Sequence, residues 1–108
     1  MQTAVIYMTA GSIEEARKIA DELIGKRLCA CVNIFPQIES VYYWNNAVQR
    51  NNEIAFIAKT RQSLVPQVIE EVKRLHSYEV PCVVSLPIER GNPHFIQWIL
   101  DETADCKL

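Results

Sequence analysis

Glycine is scarce in this chain: three occur in 108 residues, at Gly11, Gly25 and Gly91, each standing alone. Isolated glycines leave no phosphate-cradling loop, which needs several of them grouped at a helix start. No sign of charge dominates either. Eleven basic and 13 acidic residues give a net charge of −2 with no block of like charge, so nothing points to an electrostatic grip on nucleic acid or anionic lipid. No apolar run approaches the ~20 residues that span a bilayer. The first residues, Met1 to Met8, run straight into strand-like sequence with no basic segment ahead of a long apolar stretch, so a cytoplasmic location is expected. The four cysteines, Cys29, Cys31, Cys82 and Cys106, are too few and too irregularly spaced for a secreted disulfide framework, and they are expected to be reduced.

What is present suits one α+β domain over residues 1–108. Apolar residues make up 49% of the chain, enough for one core with some left over for a buried interface. Ala4-Val5-Ile6-Tyr7-Met8 reads as a strand covered on both faces. Ser12-Ile13-Glu14-Glu15 reads as a capping box, in which the Ser12 hydroxyl and the Glu15 carboxylate each satisfy a free amide. Behind it Ile13, Ala16, Ile19, Ala20, Leu23 and Ile24 recur at helical spacing, and Gly25 loosens the end. Ser63 is the expected cap of a second helix, with Pro66 in its first turn and a stripe of Val65, Val68, Ile69, Val72 and Leu75. Pro81 opens into a last core strand, Cys82 to Leu86. Asn92-Pro93 starts a short terminal helix with Phe95, Trp98 and Ile99 turned inward.

Between the two helices lies the most telling stretch. Residues 29–44 and 47–60 read as strands joined by a tight Asn45-Asn46 turn, since Asn tolerates positive φ. Pro36 marks an edge or bulge, and Asn51-Asn52 a second irregularity facing Pro36 to Ile38. A strand of ~16 residues spans about 50 Å at ~3.3 Å per residue. A domain of this size has a radius of gyration of roughly 13 Å, hence a diameter of about 35 Å. The hairpin must therefore bend or reach onto a neighbouring copy. The element order β-α-β-β-α-β is the ferredoxin-like arrangement, with both helices on one face of an antiparallel sheet.

Several side chains could carry chemistry, and each has a plain structural alternative. His76, followed by Ser77-Tyr78-Glu79-Val80-Pro81, is a candidate ligand or a helix-closing residue bonded to a carbonyl. Cys29 and Cys31, two apart on an expected strand, would share a face and suit Cu(I), or they fill the core. Lys59 needs a partner or ligand at the end of a buried strand, or its stem snorkels to solvent. Tyr42, Tyr43 and Trp44 can stack on a flat ligand or anchor a subunit contact. No nucleophile–base pair is legible, and the chain is not expected to be an enzyme.

Taken in order, Ala30-Cys31-Val32-Asn33, Tyr42-Tyr43-Trp44, Glu53 through Lys59-Thr60, Leu75-His76-Ser77-Tyr78-Glu79-Val80-Pro81, and Gly91-Asn92 with Trp98 resemble the CutA divalent-cation tolerance family. The resemblance runs from Thr3 to about Glu102. It implies a homotrimer akin to the PII signalling proteins, in which the long hairpin extends a neighbour's sheet, and a role in tolerance of divalent metals, copper above all. It also implies that Cys31, Tyr42, Trp44, Glu53, Lys59, His76 and Tyr78 look onto a cleft between subunits. On that basis Cys31 and His76 are the expected metal-facing groups. Tyr42, Trp44, Glu53, Lys59 and Tyr78 are the expected ligand-binding groups, with Lys59, Tyr78 and Glu53 orienting an anionic partner.

Four positions depart from the family pattern: Ser77 stands for Pro, Cys82 for Glu, Asn46 for Gly, and Met8 for a cysteine in some relatives. A thioether suits Cu(I) but not Zn(II), so any metal site is expected to be soft-donor and weak. No organic cofactor, nucleic acid or membrane partner is expected. The alternative reading is a PII-like sensor binding a nucleotide or metabolite in the same clefts. An RNA-recognition domain lacks its Gly-flanked aromatic motif here, and an acylphosphatase-like enzyme lacks its Arg-bearing loop at Thr9-Ala10-Gly11-Ser12.

Overall fold

The central strand β1, Thr3–Ala10, is largely buried because it pairs with a neighbour on each edge and lies beneath helices on its faces. A computed structural model describes residues 2–104. Its elements run β1, α1 (Ile13–Gly25), β2 (Cys31–Trp44), β3 (Ala47–Arg61), a 3-10 turn (Gln62–Leu64), α2 (Val65–Leu75), β4 (Val83–Ile88) and α3 (Pro93–Glu102). The four strands form one sheet in the order β2-β3-β1-β4, with every pairing antiparallel. This is the expected ferredoxin-like α+β arrangement. Each helical crossover joins two strands with a third inserted between them.

Strand alternation sorts the residues of β1 and β3 between two layers. On one side Ala4, Ile6, Met8, Phe56 and Ala58 meet Ala16, Ile19 and Leu23 of α1 and Val65, Val68 and Val72 of α2, forming the main core. On the other side α3 lies over β3. The Arg61 guanidinium donates to Thr103 Oγ1 at 2.8 Å and to the Leu100 carbonyl, and Arg27 donates to the Asp101 carbonyl at 3.2 Å. Ile99 is the fully buried contact of that helix. Two guanidinium groups thus satisfy carbonyls that the helix end leaves free.

The hairpin forms as its turn residues require. Asn45 and Asn46 both take left-handed conformations (φ 53° and 61°), and Trp44 pairs with Ala47 across them. Residues keep strict register down to Ile38–Glu53. The next pair is Phe35–Ala55, so Pro36 and Gln37 together oppose the single residue Ile54. That is the expected bulge at Pro36, while Asn51 and Asn52 pair regularly with Ser40 and Glu39 and are not a second irregularity. The molecule measures 44 × 27 × 22 Å, its radius of gyration is 14.5 Å, and a 14-residue strand at ~3.3 Å per residue accounts for the long axis.

Four local expectations are corrected. Cys29 and Cys31 do not share a strand face: β2 begins only at Cys31, and Cys29 packs in the helix-side core. The cause is the turn after α1, which ends at Gly25 as expected and in which Arg27 (φ 57°) takes a left-handed conformation. Leu64, not Ser63, occupies the cap position of α2. The last strand is an edge rather than a core strand, pairing only with β1 and exposing Val84 and Leu86. Phe95 and Trp98 stack on each other at 5.5 Å but stay about two-fifths exposed, leaving Ile99 alone inward. The reading of Cys106 lies outside the described residues.

Candidate functional site

The bulge in β2 sets the position of the site, because Glu53 on β3 stands one residue past it, where the hairpin leaves the core. Ser40 and Tyr42 follow on the same stretch of β2. With a two-residue turn at 45–46, Ser40 lies opposite Asn51 and diagonal to Glu53, and Tyr42 lies opposite Gln49 and diagonal to Asn51. Both diagonals are hydrogen-bonded: Ser40 Oγ donates to Glu53 Oε1 at 2.6 Å, and the Asn51 amide donates to Tyr42 Oη.

The connection after α2 closes over this patch. Tyr78 Oη donates to the second oxygen of Glu53, Oε2, at 2.8 Å. His76 ends α2 with its N–H bonded to the Val72 carbonyl, and its ring is wholly buried. Nε2 donates to the Thr9 carbonyl at 2.7 Å and Nδ1 accepts the Tyr78 N–H at 3.0 Å, so the imidazole is the neutral Nε2–H tautomer with both nitrogens occupied. The His76 and Tyr78 rings meet at 4.7 Å. Glu15 completes the group. It was expected to turn back onto its own helix start; instead, Ser12 alone caps α1, and the Glu15 carboxylate accepts from the Ser77 N–H (2.5 Å) and the Ser77 hydroxyl (3.0 Å).

The electrostatics follow from that company. Burial pushes the Tyr78 phenol up to about 12, helped by its hydrogen bond to Glu53 and by the negative charges of Glu53 and Glu15. Tyr78 therefore remains a neutral donor at ordinary pH. The patch collects two carboxylates and four hydroxyl groups from Ser40, Tyr42, Ser77 and Tyr78; among the described residues no lysine or arginine is bonded to them, and the His76 ring stands 3.8 Å from Glu15. Such an oxygen-rich, negative surface suits a cation better than an anion.

Four of the seven expected site residues, Tyr42, Glu53, His76 and Tyr78, are brought together. The other three are not. Lys59 lies six residues from Glu53 along β3, about 20 Å at the usual strand rise. Its ammonium donates to Asn33 Oδ1 at 2.6 Å and stands 5.8 Å from the centre of the Phe95 ring. Cys31, its cross-strand partner, is half-buried beside it, with the thiol 3.7 Å from the same Asn33 oxygen. Within one chain Lys59 thus cannot join Glu53 and Tyr78 around an anion, and Cys31 cannot share a metal with His76. Trp44 is out at the hairpin tip, 63% exposed. Among the described residues, no three of His, Cys, Asp and Glu gather as a metal-binding group. The buried Cys29 thiol is pushed up to about 12 by burial and then by Cys31, so it is an inert thiol.

Sequence reasoning missed Glu15, Ser40 and Asn51 as site residues. Ser40 and Asn51 were reachable, since the two-residue turn fixes the register that aligns them with Glu53 and Tyr42. Glu15–Ser77 joins residues 62 apart and has no local signal.

Comparison with known proteins places this arrangement among relatives. The family model described as CutA1 divalent ion tolerance protein matches residues 4–102. The divalent-cation tolerance protein CutA of Archaeoglobus fulgidus is 49% identical over 100 residues, 93% of this chain and 96% of that protein. The chloroplastic CutA 1 protein of rice is 43% identical over 101 residues, of which this chain spans 57% of the rice protein's length. Among solved structures, the CutA of A. fulgidus, described as periplasmic, matches with a TM-score of 0.89 at 45% identity, covering 93% of this chain and 97% of that one. The CutA1 of rice matches with a TM-score of 0.94 at 41% identity, covering 97% and 96%. These relatives are described as periplasmic and chloroplastic, so the fold does not fix a compartment. No helix among the described residues is long and apolar enough to cross a membrane. The PII-like alternative gains no support from these matches.

Proposed function

Because the chain belongs to the CutA1 divalent ion tolerance family, we propose that it acts in tolerance of divalent cations as a non-catalytic, cytoplasmic homotrimer. In this reading a cation or small ligand is held beside Glu53, in a crevice that a second copy closes. The observation that carries it is the Glu53 carboxylate itself, set between Ser40 and Tyr78 at the point where the hairpin leaves the core, with Glu15 nearby and, among the described residues, no lysine or arginine bonded to either. Self-association is supported by the outer hairpin, where Tyr43, Trp44 and Val48 are each more than 60% exposed in the single chain.

The donor set favours a hard, oxygen-seeking divalent cation over the soft site expected from Cys31 and His76. His76 is occupied at both ring nitrogens and acts as the residue that fixes the loop bearing Tyr78. Copper held jointly by Cys31 and His76 requires the thiol of one copy and the imidazole of another, with the Thr9 or Tyr78 bond given up. Lys59 and Trp44 likewise reach the crevice only from a second copy.

Calorimetric titration of the purified assembly with Mn(II), Zn(II) and Cu(II) tests the proposal. Saturable, stoichiometric binding that Glu53→Gln abolishes is expected. Binding by Glu53→Gln equal to that of the parent removes the crevice from the function, and loss on Cys31→Ser instead restores the soft-donor site.

A further inference from the structure

Resting on the reading of Glu53 as the cation-holding group, we infer that Tyr78 is a latch that competes with the cation for that carboxylate rather than a ligand beside it. Tyr78 Oη donates to Oε2 at 2.8 Å while Ser40 Oγ donates to Oε1 at 2.6 Å, so a hydroxyl hydrogen already meets each oxygen. Each oxygen keeps a second lone pair, but a cation that takes the Oε2 lone pair facing the crevice opening, where the phenol sits, meets the positive end of the O–H dipole and has to displace it. Hard divalent cations draw on carboxylate, carbonyl and water oxygens, and a neutral phenol is a poor replacement for any of these.

The phenol can leave while its loop stays fixed. The loop is held by His76 Nε2 on the Thr9 carbonyl (2.7 Å), by the Tyr78 N–H on His76 Nδ1 (3.0 Å) and by Ser77 on Glu15, and none of these bonds uses the Tyr78 ring. The residue is 38% exposed in the single chain, so a rotation of its side chain carries the ring outward into the crevice. Underneath, the ring crosses the turn between β1 and α1 at Gly11, where a β-carbon would stand 3.2 Å from Tyr78 Oη. A bare glycine leaves the phenol room to settle onto Glu53 without the shift of a few tenths of an ångström that a β-carbon would require. The latch therefore has a seat at Gly11, a catch at Glu53 and a fixed hinge at His76.

Titrating the purified full chain with Mn(II), and separately with Zn(II), separates the possibilities across four proteins: parent, Glu53→Gln, Tyr78→Phe and Gly11→Ala. Tyr78→Phe keeps the ring and removes only the competing donor, and it is expected to bind on the order of tenfold more tightly, the worth of one hydrogen bond to a charged acceptor. Gly11→Ala is compatible with the backbone, since no glycine here has a positive φ. Its methyl group pushes the phenol oxygen aside and is expected to tighten binding by less, which keeps the latch testable should Tyr78→Phe misfold. Equal or weaker binding in Tyr78→Phe, or in Gly11→Ala where that variant alone folds, overturns the latch and leaves Glu53 as the ligand. Binding by Glu53→Gln equal to the parent overturns the cation reading, and the latch with it.

Discussion

The two halves of the hairpin are made of similar residues and live in different surroundings. In the inner half, Ala55, Phe56, Ala58 and Thr60 are buried between the helices and the neighbouring strand. In the outer half, Val41, Tyr42, Tyr43, Trp44 and Val48 are at least as apolar and β-prone, yet each is exposed. The bulge at Pro36-Gln37 divides the halves. Below it β3 pairs with both β1 and β2, and above it the strands pair only with each other. An isolated two-stranded ribbon is marginal in water. Sequence pattern alone therefore specifies strand in both halves, but only the inner half has within its own chain the surface that such a strand needs. The outer half leaves a requirement open, and in the proposed assembly a second copy meets it.

The largest effect that sharpens this contrast is in the inner half. Phe56→Ala removes a fully buried ring and is expected to cost about 3–5 kcal/mol in denaturant unfolding. Tyr43→Ala, a change of similar size at 71% exposure, is expected to leave the fold of the single chain intact and to act on assembly. Comparable loss of secondary structure in both variants would break the distinction.

A smaller effect comes from the helices that support the inner half. Glu71 accepts from Arg74 at 2.6 Å and from Lys26 of α1 at 2.6 Å, and these bonds, Arg74 first, hold its carboxyl down to about 2. A depressed folded-state pKa gives stability that is present above the ordinary glutamate range and lost as pH falls from there toward 2. Melting temperature measured across that acid window should fall less for Glu71→Gln than for the parent. Parallel curves would remove the α1–α2 bridge from the support of the inner half.

How far the molecule was legible depended on whether a local rule decided the matter. Asn45-Asn46 fixed the turn and Pro36 the bulge, because φ preference and a missing N–H act where they stand. The order of elements followed from apolar periodicity, which gave the sheet and the helix layer. Cys29 escaped because the turn at Arg27 shifted the start of β2, so that an expected strand face never formed. Phe95 and Trp98 were misread as inward because helical spacing shows which residues share a face and not how much of that face finds cover. The site was half legible. Tyr42 and Glu53 are tied by hairpin register, while the Glu15–Ser77 contact and the seat of Tyr78 on Gly11 arise only when α1, β1 and the loop after α2 are packed together.

Sedimentation velocity of the purified chain at micromolar concentration bears most directly on the claim that sister copies cover the outer hairpin. A stable trimer of the 12.4 kDa chain, driven toward smaller species by Tyr43→Ala, is the predicted result. A well-folded 12.4 kDa monomer as the main species would contradict it.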